Sequence, residues 1–171
     1  MGQDPPWSVA VPKAIVEALG EDLDLYQKAK MSLSQSYGIG ACAYLRRILE
    51  NQVNTILDLL YESKRASGAS ENELLEIQTI RSSRVSAEKT AVAYKFAPAS
   101  LVIEGNNPLK FIHDFMSEAI HELSEDECTG RARQVTAALE YVVRELRHEQ
   151  ELRKDFLESI RSLDKTSRSG A

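Results

Sequence analysis

One stretch of this sequence, residues 37–61, constrains the fold more than any other. It reads YGIGACAYLRRILENQVNTILDLLY. Its apolar residues recur at intervals of three and four, which gives a helix one continuous apolar face that other helices must cover. They are Leu45, Ile48, Leu49, Val53, Ile56, Leu57 and Leu60. The first turns carry Gly38 and Gly40, where another backbone can approach closely. We therefore predict the central helix of a bundle here.

The flanking sequence predicts further helices. Ser70 with Glu73, and Ser124 with Glu127, have the spacing of capping boxes, in which a Ser oxygen and a Glu carboxylate satisfy first-turn amides. The predicted helices span 12–19, 21–36, 37–61, 70–97 with an irregularity at 81–84, 107–121 and 124–163. The apolar segment at 101–103 is expected to be a connector, because a lone strand has no partner. The predicted fold class is all-α, an antiparallel bundle of four to five main helices with a long C-terminal helix.

Composition predicts one domain. The chain has 171 residues, of which 43% are hydrophobic, enough for one core. We expect an N-terminal arm at 1–11 in which Trp7 packs against the bundle, a helical bundle at 12–163 and a flexible tail at 164–171. The net charge of −5 argues against a broad nucleic-acid surface, because such surfaces neutralise phosphates with clustered Lys and Arg.

The cellular setting is also predicted. No apolar run approaches the roughly 18 residues of a membrane span, and the N-terminus lacks a signal-peptide pattern, so we expect a cytoplasmic protein with no membrane partner. Cys42 and Cys128 both lie in apolar helical patterns. They are therefore expected to be buried thiols and not a disulfide or a metal site.

The C-terminal helix is predicted to outrun its neighbours. A helix over 124–163 is roughly 60 Å long at ~1.5 Å per residue. Its last part is mostly charged, with sparse apolar residues at Leu152, Phe156, Ile160 and Leu163. We expect this end to overhang, to bend back or to meet another chain.

Two Glu-x-x-His pairs raise the possibility of a metal site. They are Glu118 with His121 and Glu145 with His148, and paired motifs of this kind occur in di-iron bundles. The two histidines are expected to lie about 30 Å or more apart along successive helices, however. Because metal ligands must converge, we predict no metal and no cofactor.

A polar row follows the central helix at intervals of four, at Arg46, Glu50, Asn54 and Asp58. Such a row is typical of a solvated or ion-paired edge; the alternative is a polar pocket beside the core. His121 has two interpretations as well. It is either a cation at the end of its helix, interacting with the last carbonyls, or a site residue.

Two segments carry a resemblance to a known family. YGIGACAYLRRILENQVNTIL fits an AxxxLRRxLE helix, and NPLKFIHDFMSEAIHELSEDEC is similar to an element of the form NPLY…LSxxIHxLSExEC. Together they resemble an uncharacterised branch of the helical HEPN superfamily, over about residues 23–146. The resemblance implies an antiparallel helical bundle, frequent homodimerisation and a place within a larger prokaryotic protein. In many relatives it also implies metal-independent ribonuclease activity in defence systems.

The sequence departs from the ribonuclease motif of that superfamily. The motif is an Arg, four to six intervening residues and a His. The corresponding positions before His121 hold Asp114, Phe115 and Met116. RNA cleavage needs a base for the 2′-hydroxyl and a cation for the phosphate, and only the base candidate stands in register. Arg46 and Arg47 are the substitute cations.

Three functional hypotheses remain open. The first is a non-catalytic HEPN-like module that homodimerises or senses a nucleotide or RNA in a prokaryotic defence or regulatory protein. The second is a ribonuclease with His121 as base and Arg46 or Arg47 as phosphate-binding cation. The third is a scaffold that binds another domain or protein through 147–163. The candidate binding residues are Arg46, Arg47, Glu50, Asn54 and His121.

Overall fold

The computed structural model describes residues 11–118 and 120–169. They form seven α-helices. These are α1 (Lys13–Leu19), α2 (Leu23–Ser34), α3 (Gly38–Ala66), α4 (Glu71–Ile80), α5 (Ser86–Lys95), α6 (Pro108–Ser117) and α7 (Glu125–Ser169). Strand-like pairing within these residues is limited to an isolated bridge between Ile103 and Asn106. The all-α class and the connector are therefore confirmed. The predicted arm with Trp7 lies outside the described residues.

Several helix boundaries match the sequence signals. The Ser70 hydroxyl accepts from the Glu73 amide while the Glu73 carboxylate accepts from the Ser70 amide. Ser124 and Glu127 make the same reciprocal pair. Both capping boxes are thus confirmed. The irregularity at 81–84 is a full break between α4 and α5.

Other boundaries differ from the prediction. α6 ends at Ser117, and His121 lies in a separate 3-10 turn at Ile120–Glu122. The interpretation of His121 as the cation at the end of α6 is therefore wrong. α3 continues to Ala66 and α7 continues to Ser169, so residues 164–169 are helical where a loose tail is expected.

The helices on either side of α3 in the chain both run antiparallel to it. Asp22 at the start of α2 accepts from Asn51 and Gln52 of α3, while Ser32 near the end of α2 lies beside Gly40 at the start of α3. α2 and α3 are therefore antiparallel. α4 runs back along α3, since Arg81 pairs with Asp58.

The most extensive packing, between α3 and α7, is parallel. Ile39 contacts Glu125, and Ser63 contacts Glu149, both across the same separation of 86 residues. The expectation of an antiparallel bundle therefore holds for α2 with α3 and for α3 with α4 but is wrong for the central pair, α3 and α7. Between α3 and α7 the chain passes through four connections between helices. If the chain reverses at each of them, the even number of reversals restores the original direction.

The small residues at the start of α3 permit an unusually close contact. A Cβ on Gly38 would lie 2.3 Å from the Thr129 amide nitrogen and 2.4 Å from the Glu125 carbonyl oxygen. These atoms belong to the first turns of α7. A Cβ on Gly40 would instead meet Ser32 of α2 at 3.6 Å. α7 and α2 thus share the small-residue patch at the start of α3.

Candidate functional site

The first candidate site is a groove between the first turns of α3 and the connection from α6 to α7. Its volume is about 690 Å³. It is lined by Ile39, Ala43, Arg46, Ser117, Glu118, His121 and Leu123. Two of the predicted site residues, Arg46 and His121, therefore line the same surface.

Arg46 is engaged by the end of α6. Its guanidinium donates to the Met116 carbonyl at 2.8 Å and to the Glu118 carbonyl at 3.3 Å. The last carbonyls of a helix have no partner within the helix and carry its negative dipole end. Arg46 satisfies two carbonyls there and holds the end of α6 against α3.

His121 is turned largely to solvent. Its side chain is 82% exposed, and Nε2 lies 3.8 Å from a carboxylate oxygen of Glu122. Among the described contacts, none joins this imidazole to Arg46. Arg47 is 68% exposed and lies 3.7 Å from Glu50, and it does not belong to the residues that line the groove. Of the two candidate cations of the ribonuclease hypothesis, only Arg46 therefore lines the same groove as the candidate base, His121.

The polar row of α3 makes contacts with three different helices. Arg46 binds the end of α6, Asn54 accepts from Lys89 of α5 at 2.9 Å, and Asp58 pairs with Arg81 after α4. Glu50 lies with Arg46 in a second groove of about 410 Å³, next to the start of α5. The five candidate binding residues do not converge on one pocket. The row mainly joins α3 to its neighbours.

Two polar contacts near these grooves have no signal in the sequence. Glu118 and Arg131 form a bidentate ion pair, in which both nitrogen–oxygen distances are 3.1 Å. Lys89 is buried and donates to Asn54. Neither pair has the short helical spacing that marks contacts within one helix, so only the tertiary fold brings them together.

The two cysteines lie together in the contact between α3 and α7. Both are buried and neither forms a disulfide, as predicted. The Cys42 thiol donates to the Cys128 carbonyl at 3.3 Å. Burial, followed by the neighbouring Cys128, raises the pKa of Cys42 to about 12. The thiolate is the reactive form, so Cys42 is expected to be chemically inert in the folded protein.

The second candidate site is the far end of α7. Glu149 accepts from Ser63, and Arg153 donates to the Glu62 carbonyl at the end of α3. Beyond Arg153 the helix continues to Ser169. We call residues 154–169 the α7 extension. Phe156, Leu157 and Ile160 of the extension are exposed, as is Leu152 one turn before Phe156. This end overhangs the bundle, which is one of the three outcomes expected.

No three His, Cys, Asp or Glu side chains among residues 11–118 and 120–169 are grouped as metal ligands would be. In the same part of the chain, every helix is too short or too polar to traverse a bilayer.

Comparison with known proteins adds no relative. No protein-family model, no curated protein and no solved structure matches this chain. The fold and its two candidate sites define the class: an all-helical bundle with a long, overhanging C-terminal helix.

Proposed function

We propose that this chain is a non-catalytic, HEPN-like helical module that forms a homodimer. The observation that carries the proposal is the exposed apolar face of the α7 extension, on which Phe156 is 64% exposed. Scattered exposed apolar residues are ordinary, but a contiguous apolar patch marks an interaction surface. The resemblance to the HEPN superfamily, in which homodimers are frequent, favours a second copy as the partner.

The geometry around Arg46 supports the non-catalytic part of the proposal. An arginine that stabilises a phosphate in a transition state must direct its N–H groups at that phosphate. Arg46 instead directs N–H groups at the Met116 and Glu118 carbonyls, and binding a phosphate would compete with those bonds. The sequence has no Arg at the expected positions before His121.

The molar mass in solution tests the proposal. Light scattering during size-exclusion chromatography, over a wide range of loading concentrations, is expected to give twice the 19.1 kDa mass of the chain. A mass that stays at 19.1 kDa at every concentration would contradict the homodimer. That result would favour the scaffold hypothesis, in which 147–163 binds a different protein.

The ribonuclease hypothesis keeps one supporting observation, the shared groove of Arg46 and His121. The same groove is where we would place a nucleotide or RNA that is bound without being cut.

Cleavage of single-stranded and structured RNAs by the wild-type chain, by His121→Ala and by His148→Ala tests the ribonuclease hypothesis. His148 is the matched control, because it is an exposed histidine on α7 outside the groove. We expect equal background from all three proteins; cleavage lost only in His121→Ala would overturn the non-catalytic proposal.

A further inference from the structure

A third groove lies between the connector that precedes α6, the start of α6 and the middle of α7. Ile103 and Asn106 line it from the connector, Pro108 and Phe111 from α6, and four residues of 134–141 from α7. We call it the connector pocket. Its volume of about 310 Å³ is at the lower end of the range of roughly 300–1,000 Å³ for small-molecule sites. The space therefore suits a small ring compound.

The walls of the connector pocket are held in place by the chain itself. Ile103 and Asn106 exchange both backbone hydrogen bonds, at 3.0 and 2.8 Å, around a two-residue turn. The turn residues Glu104 and Gly105 have φ angles of 48° and 79°, and positive values at both positions are the type I′ geometry of a tight hairpin. The Asn107 side chain then caps the start of α6. The pocket is therefore formed in advance of any ligand, which lowers the entropic cost of binding.

Aromatic and small side chains give the connector pocket room for a ring. Phe111 is 36% exposed, and the hydroxyl of Tyr141 donates to the Ser100 carbonyl at 3.5 Å. Ala137 and Ala138 also line the pocket and leave space in front of α7, because their side chains end at Cβ. Aromatic side chains pack favourably against other rings, in offset-stacked or edge-to-face arrangements. Phe111 and Tyr141 are therefore the ring-binding residues of the pocket.

The lining of the connector pocket favours an uncharged ligand. No charged side chain of the described residues lines it, in a chain of which 27% is charged. The two grooves beside Arg46 differ, because Arg46 lines each of them together with a carboxylate, Glu118 in one and Glu50 in the other. Burying a charge without a partner is costly. A ligand with a charge on its buried edge would therefore be disfavoured here.

Two carboxamides supply the polar part of the connector pocket. Each has a carbonyl acceptor and an NH₂ donor. Asn106 uses its donor for the Glu104 carbonyl at 3.4 Å, whereas the Gln134 side chain forms no hydrogen bond within residues 11–118 and 120–169. Gln134 can therefore pair with a donor and an acceptor that lie side by side, as glutamine does with the edge of a nucleic-acid base. An amide group has such an edge.

We propose that the connector pocket binds a small, uncharged ring compound that carries an amide-like edge. The ring packs against Phe111 and Tyr141, and the edge forms paired hydrogen bonds with Gln134. Cyclic and aromatic amides belong to this class. The inference is independent of the homodimer proposed above, because a single chain supplies the whole lining.

Three probes that share one ring test the ligand class. Benzamide has the ring and the amide edge, toluene has the ring alone, and benzoate has the ring with a negative charge. Titrations of the full chain, followed by proton–nitrogen correlation spectra, show which backbone amides shift and give each affinity. We expect benzamide to shift amides of residues 103–111 and 134–141. It should bind roughly two- to tenfold more tightly than toluene, the net contribution of one hydrogen bond, and benzoate should bind most weakly.

Three results of these titrations would overturn the inference. Equal affinities for benzamide and toluene would indicate a purely apolar groove, such as one that accepts a side chain of a partner protein. Equal affinities for benzamide and benzoate would remove the selection against charge. Shifts confined to other parts of the chain would place the probe elsewhere.

A matched pair of glutamine variants tests the polar edge. Gln134 and Gln150 are both exposed on α7, but only Gln134 lines the connector pocket. Gln134→Leu is expected to lower the affinity for benzamide to that for toluene, while Gln150→Leu keeps the difference. A preference for benzamide that survives Gln134→Leu would overturn the assigned edge.

A matched pair of alanine variants tests the location. Ala137→Phe fills the pocket from an exposed position of α7, and Ala66→Phe, exposed at the end of α3, is the control. Circular dichroism checks that both variants are folded. We expect Ala137→Phe to abolish binding of benzamide and toluene and Ala66→Phe to leave it unchanged. Undiminished binding by Ala137→Phe would show that the connector pocket is not the site.

Discussion

Gly38 and Gly40 lie two residues apart in α3 but face different neighbours, which makes them a matched pair. Gly38→Ala places a Cβ within 2.5 Å of three atoms of α7, two of them backbone atoms that cannot rotate away. We expect a loss of about 2–3 kcal/mol in the free energy of unfolding, the upper part of the range for overpacking. Urea denaturation followed by circular dichroism measures it.

Gly40→Ala is the control for Gly38→Ala. Its new Cβ would make an ordinary contact with Ser32 at 3.6 Å, and alanine favours a helix interior over glycine by about 0.5–1 kcal/mol. We expect unchanged or higher stability. Equal destabilisation by both substitutions would contradict the close approach of α3 and α7.

The buried Cys42 thiol gives the fold a dependence on alkaline pH. Because burial raises its folded-state pKa from 9.0 to about 12, the unfolded chain loses this proton first as the pH rises. The unfolded state then binds fewer protons, so stability falls with rising pH between about 9 and 12 and is unaffected by this group below that window. Cys42→Ala should flatten the slope of unfolding free energy against pH in this window, as measured by urea titrations. An unchanged slope would show that Cys42 does not contribute.

At the scale of elements, the C-terminal end of α6 is stabilised by Arg46, a residue of α3. Arg46→Met keeps the aliphatic stem but removes the bonds to the Met116 and Glu118 carbonyls. We expect a loss of about 1.5–3 kcal/mol in the free energy of unfolding, because hydrogen bonds to charged groups contribute in this range. Arg47→Met, at a largely exposed arginine, should change the unfolding free energy by no more than about 0.5 kcal/mol. Equal effects in urea denaturation would contradict the anchoring role of Arg46.

The same element shows what a sequence can and cannot predict. Capping boxes and apolar faces depend on residues a few positions apart, so Ser70 with Glu73 and the buried face of α3 could be read directly. The end of α6 at Ser117 could not be predicted in this way. Arg46 binds the last carbonyls of α6, and it lies 70 residues before Met116 in the sequence. His121 therefore lies outside the helix in which we predicted it.

Helix direction depends on a similar long-range effect. The sequence predicts an irregularity at 81–84, and in the structure this break reverses the chain between α4 and α5. With one continuous helix there, α7 would run antiparallel to α3. The additional reversal makes them parallel and brings Gly38, Cys42 and Ser63 against α7. For the candidate site, the sequence identified Arg46 and His121 but not the carbonyls that engage Arg46.

At the scale of the whole molecule, α3 and α7 form the centre, and α7 alone extends past it. The buried interior of the bundle ends at the level of Arg153. There Glu149 and Arg153 of α7 form hydrogen bonds with Ser63 and Glu62, near the end of α3. Substitutions beyond that level are therefore expected to leave the bundle folded. Phe156 and Ile160 of the α7 extension are exposed and lie outside the core.

Sedimentation equilibrium on the wild-type chain and on Phe156→Glu/Ile160→Glu tests the central claim most directly, with Leu75→Glu as an exposed-leucine control on α4. We predict a dimer for the wild type and for Leu75→Glu, and a monomer for the double variant with the same unfolding free energy per chain measured at low concentration. Burying a carboxylate in the contact opposes association strongly. A wild-type monomer, or a double variant that remains as dimeric as the wild type, would contradict the account.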